Sequence, residues 1–421
     1  MRAPLEHIFH HTPESLREWF EVRRLPHFRA RQVLEWVYRK GVIDPARMTN
    51  LGLREREMLA RELVFESGEI VRSQASGDGT MKLLVEWGEF GGEGVGGPSD
   101  KGTQRRSDEK GAHGDDADGL SLPLHPAMGV RSAASGARAP AIGAHADRRT
   151  ECVMIPSQDP TKVRRTACVS SQVGCPVGCR FCASGLGGLD GNLTAGRIVE
   201  QVWLLNHALG RSGGGATGGP GDEGARITNI VFMGMGEPLA NFANVLHAVR
   251  TLAAPWGLGI SARRITISTV GLPRAIEKLA EQLELPVTLA LSLHAPNDAL
   301  RRELIPWAQH STIPELLTAC GAWFEKTGRE ITLEYILLGG VNDRPAHARE
   351  LASLARTLRA NINLIRYNEV EPLAFVRPRS EDVLEFQRIL RSRGVNAHIR
   401  ASRGRDIAAA CGQLRHESSG A

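Results

Sequence analysis

The chain has 421 residues, 52 Lys and Arg against 47 Asp and Glu, and 42% apolar side chains; this exceeds one ordinary domain and can bury real cores. A formal charge of +5 excludes a strongly basic or acidic chain, so any basic surface must come from local clustering. The opening MRAPLEHIFHHTPESLREWF lacks a signal-like apolar core, no run reaches membrane length, and seven cysteines with three packed into 175–182 are unlike a secreted disulfide scaffold, so a cytoplasmic protein with no membrane partner is expected.

Residues 5 to 65 alternate apolar and charged positions at helical spacing, as in FRARQVLEWVYRKG and REREMLARELVF, which predicts a small helical domain over 1–70. Arg23, Arg24, Arg29, Arg31, Arg39 and Lys40 make it locally basic; RNA contact and an ordinary solvated helix face both fit that clustering. MKLLVEWG (81–88) and TECVMIP (150–156) alternate like strands and predict a strand pair within a linker, 78–165. Between them, the Gly-, Ala-, Pro- and Ser-rich stretch 90–147 has too few large apolar residues to offset the entropy of ordering it, and a disordered insertion is expected.

From Thr166 onward, TACVSS, NIVFMGM, RITIST, VTLALSL, ITLEYIL and INLIRYN alternate with helical segments. Six β/α units imply an α/β catalytic domain over 166–421 with a parallel sheet, open or a partial barrel. Gly213 to Gly221 contains GxGxxG but follows a helical segment instead of a strand, so a nucleotide loop is not expected there.

ACVSSQVGCPVGCRFCASG places Cys175, Cys179 and Cys182 in a CxxxCxxC triad directly after the first barrel strand. Thiolates are the soft ligands iron-sulfur clusters require, and three of them leave one iron of a cubane open to the amine and carboxylate of S-adenosylmethionine (SAM). Reduction of that pair yields a 5′-deoxyadenosyl radical. The competing reading is zinc, which usually pairs CxxC knuckles to supply four ligands; this spacing has no second pair nearby.

Active-site groups of α/β barrels sit at the C-terminal ends of strands. Gly236 and Glu237 in MGMGEP, then Ser268, then Ser292, Leu293 and His294, and finally Asn368 fall at such ends. Each alone reads as a polar cap or turn residue; together they make a rim for the parts of SAM. Cys168 lies seven positions before Cys175, and Cys411, in ASRGRDIAAACGQL, suggests a loop or helix end reaching the site. Cys152 and Cys320 read as small buried hydrophobes. Glu151 stands beside a strand entering the barrel, and a solvated edge carboxylate is its plainer reading.

Taken together, LPHFRARQVLEWVYRKG, CVSSQVGCPVGCRFCASG, NIVFMGMGEPLAN, RRITISTVG, ALSLHAPND, LEYILLGGVND, INLIRYN and SRGRDIAAACGQL resemble the RlmN/Cfr family of radical SAM RNA methyltransferases, and within it the adenine-C2 enzymes. The resemblance implies a partial (β/α)6 TIM-like radical SAM barrel behind a small N-terminal helical accessory domain. It implies that Cys175, Cys179 and Cys182 hold one 4Fe-4S cluster, that Gly236, Glu237, Ser268, Ser292, Leu293, His294 and Asn368 bind SAM, that Cys411 carries the methyl group, that Cys168 is its partner and that Glu151 accepts a proton. Two SAM molecules serve each turnover: one methylates Cys411, and the second yields the radical that takes hydrogen from the S-methyl group. The carbon radical adds to C2 of adenine, which is too electron-poor to attack a sulfonium. Cys168 then attacks the Cys411 sulfur, frees the RNA and leaves a transient disulfide.

The partners so implied are 23S ribosomal RNA, transfer RNA and an electron donor, with a monomeric chain expected. Arg377, Arg379, Arg388, Arg391, Arg393, Arg400, Arg403 and Arg405 add a basic C-terminal third suited to phosphate, and reaching adenine C2 requires the base to leave its stack. The insertion and the spacer SQDPTKVRRTAC depart from the family's compact pattern. Two alternatives stand beside this reading: the family's adenine-C8 methylation, and a non-catalytic, metal-stapled RNA-binding protein.

Overall fold

The computed structural model describes residues 6–88, 148–157, 159, 161, 163–212 and 226–414. The expected insertion at 90–147 and the glycine-rich stretch 213–221 lie outside the described residues.

Glu6–His7 (β1) pairs in parallel with Leu63–Val64 (β2), and Pro13–Val22 (α1), Arg29–Leu34 (α2) and Leu53–Glu62 (α3) run between them. α1 begins at a reciprocal cap: Thr12 N donates to Ser15 Oγ at 2.9 Å, Ser15 N donates to Thr12 Oγ1 at 3.2 Å, and Pro13 fills the first turn. Its one apolar stripe buries Leu16, Trp19 and Phe20 against Val33 and Leu34 of α2 and Leu59 of α3.

Gly68–Ala75 (β3), Met81–Trp87 (β4), Arg149–Pro156 (β5) and Arg165–Cys168 (β6) follow as antiparallel neighbours. A small ribbon, Gln172–Gly174 (β7) with Leu189–Asn192 (β8), brackets the cysteine triad. From β6 the sheet turns parallel. Ala195–Ser212 (α4), Asn229–Phe232 (β9), Phe242–Ala253 (α5), Ile265–Thr269 (β10), Pro273–Gln282 (α6) and Thr288–Ser292 (β11) continue it, with Asp298–Leu304 (α7) and Ile313–Thr327 (α8) crossing to Ile331–Leu337 (β12). Pro345–Ala355 (α9), Ala360–Arg366 (β13), Ser380–Ser392 (α10) and Ala397–Arg400 (β14) complete it.

The ten-stranded order is β14-β13-β12-β11-β10-β9-β6-β5-β4-β3. The α/β architecture of β/α units agrees with expectation, and β14 adds a parallel strand beyond the six read from the sequence. Every residue of β12 is buried, as a strand covered on both faces requires. The sheet does not close: its outer strands are β14 and β3, and the antiparallel strands continue one wall of the parallel part.

Glu200 on α4 fastens the N-terminal unit to this wall. It is fully buried and accepts hydrogen bonds from His7 Nε2 at 2.9 Å, Ser67 N at 2.7 Å, Gly68 N at 2.9 Å and the Ser67 hydroxyl. Four donors on one buried carboxylate offset much of its desolvation. Among the described residues, no helix is long and apolar enough to cross a membrane.

Candidate functional site

The C-terminal ends of β9 to β12 open into a cleft with a cavity of about 140 Å³. Cys175, Cys179 and Cys182 line it on one side and Gly236, Glu237, Ser268, Ser292 and His294 on the other. The triad loop is held from several directions: Cys175 N donates to Gly188 O at 2.7 Å, Arg180 N to Leu304 O at 3.0 Å and Ala183 N to Gly412 O at 2.8 Å. Gly174 enters the loop at φ +75, where a Cβ would collide with the Gly188 carbonyl oxygen, so only glycine serves.

Burial pushes the Cys175 thiol up to about 12 and raises those of Cys179 and Cys182, so metal ions must displace protons to bind there.

Two buried side chains each keep one polar atom without a hydrogen bond, although Glu334 Oε2 also faces the Arg400 guanidinium at 3.8 Å. Arg301 is fully buried; its Nε donates to Leu293 O at 3.2 Å and its Nη2 to Val270 O, while Nη1 has no hydrogen-bond partner. Its guanidinium interacts with the Cys179 sulfur, which works against the burial that lowers the arginine to about 10. Glu334, the acid of β12, lines the cleft with Oε2 lacking a hydrogen-bond donor; its Oε1 accepts from Asn363 at 3.0 Å.

The other wall is built from strand ends. Glu237 is buried, its Oε1 accepting from Leu239 N at 3.0 Å and Oε2 from Val270 N at 2.7 Å, and burial raises its carboxyl to about 7. Gly236 has φ +103, and a Cβ there would lie 2.7 Å from Gln172 Cβ and from Ser171 Oγ. Ser268 and Ser292 hydroxyls face each other at 3.3 Å. His294 adopts φ +58 and accepts from Ile336 N at Nδ1, 3.1 Å, leaving Nε2 to carry its proton. Burial, then the Arg301 charge, lowers it to about 3, so it is a neutral donor. Leu293 is buried behind this wall and contributes its carbonyl to Arg301.

A second, smaller cavity of about 60 Å³ adjoins the first and holds Cys168, Asn368, Arg400 and Arg403 over an apolar floor. Cys411 belongs to both linings, with Met233, Ile365 and Leu414. It is exposed in a turn after the one-turn helix Arg405–Ile407. Although the residue is exposed, desolvation at its sulfur raises the thiol to about 11, against the Arg400 guanidinium, which also lowers Cys168, itself raised by burial to about 12. Asn368 Oδ1 accepts from Arg377 at 3.0 Å, while its Nδ2 is buried without a partner.

Glu151 lines neither cavity. It is 4% exposed on an interior strand, so it is not a solvated edge carboxylate, and its Oε1 lies 2.7 Å from Lys82 Nζ. Cys152 and Cys320 are buried in the main core. Several expected basic contacts are paired with acids: Arg23 pairs with Glu62 and stacks on Trp19, Arg29 pairs with Glu55, and on the exposed surface Arg379 and Arg388 pair with Asp382 and Glu385 of α10. Sequence reasoning missed Lys82, Arg301 and Glu334, and read Arg400 only as a phosphate contact where it lines the Cys168 cavity. Of these, Glu334 had a signal, an acid inside an otherwise apolar strand.

Residues 7–64 match the model of the ribosomal RNA large subunit methyltransferase N-terminal domain. Over 401 residues the chain is 38% identical to a Thermosynechococcus vestitus protein named "Probable dual-specificity RNA methyltransferase RlmN", covering 95% of this chain and 96% of that one. A Dichelobacter nodosus protein named "Dual-specificity RNA methyltransferase RlmN" is 36% identical over 97% of this chain and 93% of its own length. The crystal structure of a radical SAM methyltransferase from Sphaerobacter thermophilus superposes with a TM-score of 0.77 at 37% identity, over 98% of this chain and all of that one.

Proposed function

The chain belongs to the RlmN family of dual-specificity RNA methyltransferases, and from that premise we propose how its own residues divide the work of methylating adenine C2 in 23S ribosomal RNA and in transfer RNA. The observation that carries the division is the position of Cys411, which lines both the cleft of the cysteine triad and the cavity of Cys168.

Cys175, Cys179 and Cys182 hold the 4Fe-4S cluster. Gly236, Glu237, Ser268, Ser292, Leu293, His294 and Asn368 hold SAM; ionised Glu237 suits its ammonium, and the serine hydroxyls and the neutral histidine suit its hydroxyls and ring nitrogens. When bound, cluster and SAM supply a transferable methyl group and a 5′-deoxyadenosyl radical. Cys411 gives up its thiol proton and accepts the methyl carbon. Once that carbon has lost a hydrogen atom to the 5′-deoxyadenosyl radical and joined adenine C2, and the adduct has given up its unpaired electron to the oxidised cluster, Glu151 would take the C2 proton. The Cys168 sulfur attacks the Cys411 sulfur; the S–S bond forms, the S–C bond breaks, and its electron pair takes up a proton to complete the methyl group. Arg400, beside both sulfurs, favours their thiolate forms.

The N-terminal unit over 1–70 supplies RNA contact, the strands of 78–165 link it to the catalytic domain 166–421, and an external one-electron donor, a monomeric chain and a cytoplasmic setting complete the reading. Cys411→Ala is expected to abolish methyl transfer with iron content intact, and Cys168→Ala to trap a covalent protein–RNA adduct; normal turnover in either overturns these roles. Mass analysis of modified adenosines is expected to give 2-methyladenosine, and 8-methyladenosine alone would overturn the C2 assignment.

A further inference from the structure

Lys82 is a buried lysine that none of these roles uses. It is 7% exposed on β4, and its ammonium makes two contacts: Glu151 Oε1 at 2.7 Å and the Ala408 carbonyl oxygen at 3.3 Å. Removing an ammonium and a carboxylate from water is costly, and apolar side chains of similar volume commonly hold two strands as well or better. The fold by itself therefore gives little reason for this pair.

Strand register relates Lys82 to the site. Val153 lies opposite Lys82 on one side and opposite Cys168 on the other, so Lys82, Val153 and Cys168 form one row across β4, β5 and β6. Glu151, two residues before Val153, shares their face and sits diagonal to both. The segment before Cys411 covers this face: Ala409 and Leu414 pack with Val153 and Cys168. The β3–β4 turn grips the same segment, with Gly404 N donating to Asp78 Oδ2 at 3.0 Å and Ser76 Oγ to Asp406 Oδ1 at 2.6 Å. Those contacts hold the loop alone. Lys82 joins the loop and the Glu151 carboxylate through one ammonium, three residues before Cys411.

We infer that Lys82 is a positioning residue for release of the RNA, fixing the Glu151 carboxylate and the backbone of the Cys411 loop in one mutual geometry. The inference rests on the reading of Glu151 as proton acceptor and of Cys411 as methyl carrier. The proton from C2 goes to Glu151; Lys82 neither gives nor takes it. Its work begins after Cys411 has been methylated, so the first methyl transfer does not need it.

The test uses cluster-loaded full-length enzyme and RNA substrate under anaerobic single turnover, with Lys82→Met, Lys82→Gln, Lys82→Arg and, as reference, Glu151→Gln. Iron content, methylated Cys411 by peptide mass and the covalent protein–RNA adduct are followed separately. K82M and K82Q are expected to keep wild-type iron and methylated Cys411, yet to resolve the adduct at least tenfold more slowly, as E151Q does; K82R, which keeps the charge, is expected to recover much of the rate. Wild-type resolution in K82M and K82Q beside a slow E151Q overturns this inference alone. Parallel loss of iron, methylated Cys411 and turnover in both variants also overturns it, because a purely structural role predicts that pattern. Wild-type resolution in E151Q removes the proton-acceptor reading and the inference with it.

Discussion

At Gly236 a single hydrogen in place of a methyl group decides whether the cofactor wall can form. The residue sits at φ +103, and a Cβ would press on Gln172 and Ser171 at 2.7 Å. Gln172 Oε1 in turn accepts from Glu237 N at 2.8 Å, so the collision is passed to the carboxylate. Gly236→Ala is expected to cost about 1–3 kcal/mol of stability through backbone strain and to weaken SAM binding at least tenfold with unchanged iron content; equilibrium binding of SAM to anaerobic protein checks it, and a wild-type Kd would refute it. Residues of this kind divide sharply in legibility. The triad is readable because three ligands lie within eight positions of one loop. Lys82 is not, because alternation along MKLLVEW marks it only as polar, and its burial depends on a loop from the other end of the chain.

Among the elements, the seam between the N-terminal unit and α5 has a titratable join. His10 stacks on His247 with ring centroids 4.4 Å apart. Burial first, and the neighbouring His10 second, lower both His11 and His247 from 6.5 to about 4; for His11, burial outweighs the Glu6 carboxylate 3.1 Å from its Nε2. The unfolded chain takes up these protons near pH 6.5, whereas the folded chain refuses them until about pH 4. Stability present above pH 6.5 is therefore lost as the pH falls from 6.5 to 4. Urea unfolding across that window is expected to show a shallower pH slope in His247→Gln than in wild type, and equal slopes would refute it. The seam was not legible, since its partners lie far apart in sequence. β14 was missed for a local reason: AHIR is four residues long with only Ala397 fully buried, too short for a periodic signal.

Across the whole molecule, the antiparallel strands β3 to β5 extend the catalytic sheet, and the β4–β5 register runs undisturbed to the point where 89–147 leaves it. Glu86 stands opposite Arg149, Trp87 N donates to Arg148 O at 3.0 Å, and Arg149 Nε reaches Glu86 Oε2 at 2.9 Å. The chain ends on either side of the segment are thus already at hairpin distance, where a two-residue turn closes antiparallel strands without distortion. Replacing 89–147 by Asn-Gly is therefore expected to leave iron loading and SAM binding unchanged. Each halving of a flexible loop saves about 0.6 kcal/mol of closure entropy, so the shortened chain gains about 2–3 kcal/mol if the segment contributes only length. Thermal unfolding and SAM titration of the cluster-loaded protein check both halves: a raised Tm with wild-type affinity is the expected result, whereas a lowered Tm would mean that the segment packs on the sheet. The composition of 90–147 carries the expectation behind this prediction, because a stretch with so few large apolar residues cannot offset the entropy of ordering it. What composition could not convey is that the strands on either side carry Lys82 and Glu151, so that the segment leaves the sheet between the two partners of that buried ion pair.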